Sequence, residues 1–203
     1  MPKYKMLDLF SGLGGASYPY TLDDDWDVVR VDYSGALFHD TYLSIPGATP
    51  PAPLPFDLRR PVEKLYALVG RDYDLVWASP PCYEFSLAHN FHGGRSDEPN
   101  LELMLQAKKI IDDIKPRWWC IENVQGACAH FMPHLGKHTS KIGPYYLWGN
   151  LSTENIVPPG DYYKCQTGSK TKFRQHRNAK IPLWLSQGIK DQLFSQRRLT
   201  EWA

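Results

Sequence analysis

The chain has 203 residues, 42% hydrophobic and 22% charged, the balance of one globular domain with an apolar core rather than of a disordered, fibrous or membrane-spanning chain. Its 23 Lys+Arg and 22 Asp+Glu nearly cancel, but residues 1–160 hold 14 basic and 19 acidic side chains, net −5, whereas residues 161–203 hold 9 and 3, net +6. No stretch approaches the roughly 18 apolar residues of a membrane span, and no secretory leader is visible, so a cytoplasmic protein is expected, with Cys82, Cys120, Cys128 and Cys165 as thiols.

Tyr4–Phe10 reads as a buried strand running into Ser11-Gly12-Leu13-Gly14-Gly15-Ala16-Ser17, a Gly-rich turn ahead of a short helix. Asp27–Tyr33 is a second strand ending near Asp32, and Ala36–Ser44 a short helix after it. Five prolines from Pro46 to Pro55 exclude a central strand or helix interior and predict a rigid surface connection before the segment Leu54–Leu58. Pro61–Gly70 is a helix with proline in its first turn, and Asp74–Ala78 a third strand running into Ser79-Pro80-Pro81-Cys82. Apolar residues at Leu101, Met104, Ala107, Ile110, Ile111 and Ile114 predict an amphipathic helix over Asn100–Ile114, stopped by Pro116 and followed by the strand Trp118–Glu122. Beyond Asn123 the expectations are a short helix at His130–Gly136, a strand at Tyr145–Trp148, a loop at Pro158–Lys172 and a closing helix at Pro182–Phe194.

Strands alternating with helices predict an α/β fold with a mostly parallel sheet and helices on both faces, whose ligands gather at the carboxyl ends of the strands. Three constellations fall there. Glycines at the Asp8–Gly15 turn let backbone approach a ligand closely, and Ser17 stands where a dinucleotide-binding loop would want its third glycine, which favours another adenosine-containing ligand. Asp32 is placed to accept hydrogen bonds from ribose hydroxyls, although taken singly it reads equally as a turn aspartate. The Pro80-Pro81 turn presents the Cys82 thiol at the mouth of the cleft, and Glu122 carries a carboxylate out of an apolar strand onto the same edge, where it needs a partner or a job. His130, His134 and His138 recur at intervals of four beside Cys128, but Pro133 and Gly136 interrupt the helix, so surface histidines are expected and no metal.

Together these residues resemble the cytosine-C5 DNA methyltransferase family. The motifs DLFSGxGG, PPCQxFS and ENV correspond to Asp8–Gly15, to Pro80-Pro81-Cys82-Tyr83-Glu84-Phe85-Ser86 and to Glu122-Asn123-Val124, in the family's order, and Gln175-His176-Arg177 looks like the start of its QxRxR motif. The resemblance implies a Rossmann-like S-adenosylmethionine-dependent methyltransferase fold. It also implies methyl transfer to C5 of a flipped cytosine through a covalent Cys82 adduct, with Glu122 at N3 and Arg177 holding the base or its phosphate. S-adenosylmethionine would lie against Phe10, Ser11, Gly12, Gly14, Gly15, Asp32, Tyr33, Asp57 and Leu58, leaving S-adenosylhomocysteine as product. Ser79, Pro80, Ser86, Asn123, Val124 and Gln175 would line the substrate.

The chain departs from the family pattern at Tyr83, where the family usually has glutamine, and at Ala179, where it has a second arginine. Only 50 residues separate Val124 from Gln175, too few for a large target-recognition region. The expected organisation is a single compact domain: residues 1–126 as catalytic and cofactor-binding core, 127–180 as a reduced DNA-contact segment, and 181–203 as a C-terminal helix packed on the core. The expected partner is DNA, as duplex with a flipped cytosine, with RNA as the alternative substrate. A non-catalytic DNA-binding subunit, a specificity partner and a homodimer are further alternatives, and a membrane is not expected. Such an enzyme would act on the nucleoid of a prokaryote or, if virus-encoded, in the host cytoplasm.

Overall fold

The computed structural model describes residues 2–33, 42–45, 48–85, 98–160 and 179–200, the last seven of these as backbone only. Seven strands form one sheet: β1 (Tyr4–Leu9), β2 (Trp26–Asp32), β3 (Leu54–Pro55), β4 (Leu75–Ala78), β5 (Trp118–Asn123), β6 (Ser140–Ile142) and β7 (Tyr145–Gly149). Their order across the sheet is β3-β2-β1-β4-β5-β7-β6. The first five run parallel, and the hairpin β6–β7 joins antiparallel on β5. The helices are α1 (Tyr18–Thr21), α2 (Val62–Val69), α3 (Glu102–Ile114), α4 (Cys128–Leu135) and α5 (Leu183–Thr200).

Both faces of the central strands are buried, as expected where helices cover a parallel sheet twice. Side chains alternate between two clusters. Leu7, Leu9, Val76, Ala78 and Ile121 pack with α2, α3 and Phe131 of α4. Tyr4, Met6, Leu75, Trp77, Trp118 and Cys120 pack with Tyr20 of α1 and with Leu185, Ile189 and Leu193 of α5. The amino-terminal edge of the sheet is closed by aromatic rings, with centroids 5.1 Å apart for Tyr4–Trp26, 4.7 Å for Tyr20–Trp26 and 6.5 Å for Trp26–Trp118. Among the described residues no helix is long and apolar enough to cross a membrane.

The alternating pattern, the mostly parallel sheet and the two helical layers agree with the sequence reading. The differences are local. β6, three residues long, was not expected, and α4 begins at Cys128 and ends before Gly136, with Pro133 inside it. Of the helix expected over Ala36–Ser44, the described part, Tyr42–Ser44, is a single 3-10 turn, and residues 34–41 lie outside the description. The proline-rich stretch is more than a surface connection, because Ile45 and Thr49 are buried and Ile45 packs with Leu13 and Tyr42 over the Gly-rich turn.

Candidate active site at the carboxyl edge of the sheet

Register places the candidate residues side by side. Val31, Leu9, Ala78 and Ile121 form one row across four neighbouring strands. The next residue on each strand is Asp32, Phe10, Ser79 and Glu122, so four separated stretches of sequence meet along an edge whose strands are about 4.8 Å apart. Three of these strands then turn into the Gly-rich loop, the Pro-Pro turn and the Asn123-Val124 segment.

The loop is fixed to its neighbour strand by short bonds. The Ser11 amide donates to the Val31 carbonyl at 3.1 Å, the Gly12 amide to Asp32 Oδ2 at 2.7 Å, and the Gly14 amide to the Ser11 carbonyl at 2.8 Å. Phe10, Gly12 and Gly14 have positive φ, at 58°, 50° and 78°. At Gly14 a side chain would also collide, since a Cβ would stand 2.3 Å from both an Arg30 nitrogen and Thr49 Oγ1. Gly12 by contrast faces open space, with only the Phe10 carbonyl oxygen as near as 4.0 Å. Gly15 is buried against the Ile181 backbone. Asp32 is half-buried and Tyr33, next along, is exposed. An open glycine backbone, a carboxylate suited to hydroxyl groups and an exposed aromatic ring form a set that fits an adenosine-containing ligand. Asp57 lies just beyond β3, where its Oδ1 accepts the Arg59 amide at 3.0 Å, and Leu58 turns its side chain into the core.

At the end of β4 the Ser79 amide donates to the Leu9 carbonyl at 3.2 Å, while its hydroxyl accepts the Trp77 indole N–H at 3.0 Å. Pro80 and Pro81 follow, and Cys82 is half-buried at the start of a 3-10 turn, Tyr83–Phe85. Phe85 anchors that turn in the core against Phe131, 5.2 Å away and edge-on, and Glu84 accepts the Asn100 amide at 2.6 Å. Tyr83, beside Cys82, is exposed.

Glu122 is buried at the end of β5, on the same face as Cys120. Its charge adds to burial in pushing the Cys120 thiol well above the ordinary range, so Cys120 stays a buried neutral thiol. Asn123 ties the two motif-bearing turns together: its Nδ2 donates to the Pro80 carbonyl at 3.0 Å, and its Oδ1 accepts the Val124 amide at 2.9 Å. The thiol turn and the carboxylate strand are therefore one hydrogen-bonded unit. Ser86, Gln175 and Arg177 lie outside the described residues. His138 packs edge-on against Tyr146 and Trp148, and among the described residues no three His, Cys, Asp or Glu side chains come together as a metal site.

Asp8 and Arg30 are registered partners on β1 and β2, 1% and 2% exposed. Burial pushes the Asp8 carboxyl up to about 6, while the Arg30 charge and the Ser17 and Ser11 hydroxyls pull it down. A carboxyl raised in the folded state stabilises the fold below its unfolded value near 3.8, and that contribution is lost as pH rises through about 6. Two units correspond to about 3 kcal/mol. The stability difference between Asp8→Asn and the parent should therefore shift by about that amount in favour of the variant between pH 4 and pH 7. Denaturant unfolding at the two pH values measures it, and a difference independent of pH would show that Asp8 is ionised throughout.

The family model described as C-5 cytosine-specific DNA methylase matches residues 4–139. The type II methyltransferase M.HindV of Haemophilus influenzae is 28% identical over 131 residues, 60% of this chain and 38% of that protein. A Frog virus 3 protein described as a DNA (cytosine-5)-methyltransferase is 25% identical over 157 residues, 71% of this chain and 65% of its own. The chain thus spans less than two thirds of either relative. Among solved structures, the Entamoeba histolytica methyltransferase EhMeth superposes with a TM-score of 0.51 at 14% identity, over 78% of this chain and 56% of that one, which shows a shared Rossmann-like methyltransferase fold.

Proposed function

The chain belongs to the C-5 cytosine-specific DNA methylase family, and on that premise we propose that it transfers a methyl group from S-adenosylmethionine to C5 of a flipped cytosine in DNA through a covalent bond to Cys82. The observation that carries the reading is the bond from Asn123 to the Pro80 carbonyl, which sets the Cys82 turn and the Glu122 strand in fixed relation on one sheet edge. Beside that unit lies the open Gly12 backbone.

Cytosine C5 is too weak a nucleophile to accept a methyl group unaided. The Cys82 thiolate adds to C6, and Glu122 holds a proton at N3, so that the electron pair of the C5–C6 bond becomes available at C5. S-adenosylmethionine supplies an electrophilic methyl group on a sulfonium. C5 takes the methyl, with S-adenosylhomocysteine as the leaving group; a base removes the C5 proton, the C6–S bond breaks to return Cys82 as thiolate, and N3 gives its proton back to Glu122, which restores the ring. Phe10, Tyr33 and Asp57 are assigned to the adenine, Asp32 to the ribose hydroxyls, and Ser11, Gly12, Gly14, Gly15 and the Leu58 backbone to the rest of the cofactor pocket. The Pro80 carbonyl and Ser79, with Asn123 and Val124, line the base, joined by Ser86, Gln175 and Arg177. A target carbon inside a duplex is out of reach of such an edge, so the base is flipped or already unpaired. The basic side chains of residues 161–203, apart from Lys190, which is buried and paired with Asp23, are assigned to phosphate contacts.

Incubation with methyl-labelled S-adenosylmethionine and duplex DNA, single-stranded DNA or tRNA, followed by nucleoside analysis, is expected to give 5-methylcytosine from DNA. A strong preference for tRNA would replace the DNA reading with an RNA one. No 5-methylcytosine from any substrate, together with no trapping on 5-fluorocytosine DNA, would leave a non-catalytic binding subunit.

A further inference from the structure

Arg30 is a charged residue in the middle of the apolar strand β2, and it is 2% exposed. A buried guanidinium is tolerated only when its donors are satisfied and its charge is balanced. It carries five N–H donors, and here they meet five acceptors. Nε donates to Ser11 Oγ at 2.7 Å, one terminal nitrogen to the Thr49 carbonyl at 2.6 Å and to the Pro51 carbonyl, and the other to the Tyr42 hydroxyl at 2.5 Å and to the Gly12 carbonyl at 3.3 Å. Asp8, opposite on β1, faces its charge. The Tyr42 hydroxyl donates in turn to the Gly12 carbonyl at 3.2 Å, and Thr49 Oγ1 to the Leu13 carbonyl at 3.0 Å. Two stretches of chain that share no regular hydrogen-bond ladder, the Gly-rich loop and the proline-rich cover over it, are bridged by this side chain alongside the direct bonds that Thr49 and Tyr42 make to the loop carbonyls.

We propose that Arg30 is a positioning residue for the Gly-rich loop: by filling the space between loop and cover it fixes the direction of the Ser11 and Gly12 backbone, and through it the affinity for the methyl donor. The second half of this inference rests on the cofactor assignment given above. The first half does not, and it can be read without ligand. Lysine has three donors on a single nitrogen and cannot span acceptors lying on three sides, so it should not substitute.

The test uses Arg30→Lys and the charge-neutral pair Asp8→Asn/Arg30→Met, which leaves neither charge buried alone and keeps the fold within reach. In the ligand-free protein, amide hydrogen exchange at residues 11–15 is expected to quicken at least tenfold in both variants, with exchange in β4 and β5 unchanged. The dissociation constant for S-adenosylhomocysteine, by calorimetry, is expected to rise ten- to a hundredfold, and in turnover the KM for the cofactor to rise while kcat and the KM for DNA hold. Unchanged loop exchange in the double variant overturns the positioning role. Quickened exchange with unchanged affinity overturns its link to the cofactor, and a parent protein that does not bind S-adenosylhomocysteine overturns the cofactor assignment itself, with the loop exchange still reading Arg30 separately.

Discussion

Replacing Cys82 by alanine is expected to lower methyl transfer on the order of 10⁴-fold or more, because the whole reaction depends on one nucleophile adding to C6. Its position makes the loss specific. Cys82 is half-buried in a turn whose geometry is set by Pro80, Pro81 and the Phe85 anchor, and the sulfur is not among the core clusters. Removing it should leave the unfolding transition within about 0.5 kcal/mol of the parent, as for a change away from packed features. Affinity for S-adenosylhomocysteine should stay the same, since the Gly-rich loop is held from β2 and not from β4. The covalent complex with 5-fluorocytosine DNA, resistant to denaturation in the parent, should be absent. An alanine variant that keeps turnover, or still traps, would remove Cys82 from the mechanism. Cys120 is no substitute, because it is fully buried and its thiol is pushed well above the ordinary range.

Glu122→Gln is expected to cost about 10²- to 10⁴-fold in the same assay, the range of a positioned proton donor or acceptor. Glutamine keeps the length of the side chain, so β5 and its antiparallel pairing with β7, in which Glu122 faces Leu147, should persist. The amide can still donate a hydrogen bond to N3 but cannot transfer a proton to it, so the electron-rich ring is less stabilised. Trapping on 5-fluorocytosine DNA should therefore slow in proportion to turnover, whereas in a binding-only role for Glu122 the KM for DNA would rise and kcat would hold. Equal activity in the glutamine variant would assign the carboxylate to structure alone.

Much of this site is legible in the sequence because each motif sits at the end of a strand that declares itself. Tyr4–Leu9, Leu75–Ala78 and Trp118–Asn123 are short apolar runs bounded by turn residues, and in a doubly covered parallel sheet such runs leave little freedom in register. Once they lie side by side, Cys82 and Glu122 must share an edge. The cover over the Gly-rich loop is less legible. Prolines in residues 46–55 remove backbone donors and argue against a strand, which is sound locally, but they leave carbonyls, and the Thr49 and Pro51 carbonyls accept from Arg30. The signal for Arg30 was present in Asp27-Val28-Val29-Arg30-Val31-Asp32-Tyr33: a cation inside a strand that should be buried on both faces requires a set of partners from somewhere else in the chain. Which partners they are depends on tertiary approach, and Tyr42 and Thr49 carry no sequence mark of that role. β6 is three residues long and gains its strand character only by pairing with β7.

The packing of Gly15 against Ile181, and of Met6, Tyr20 and Trp77 with Leu185, Ile189 and Leu193, sets a timetable for synthesis. The face of the sheet that carries Asp8 and Glu122 is covered by a helix that starts at Leu183, about 170 residues downstream of the loop that Ile181, just ahead of it, touches. During synthesis the part of that face that Leu185, Ile189 and Leu193 cover waits for α5, although α1 packs on it earlier, whereas α2, α3 and α4, which cover the other face, all come before it in the chain. A nascent chain stalled near residue 150 would expose Met6, Leu75 and Trp77 to any chaperone present, and completion of the fold would coincide with arrival of the segment that seals the Gly-rich loop.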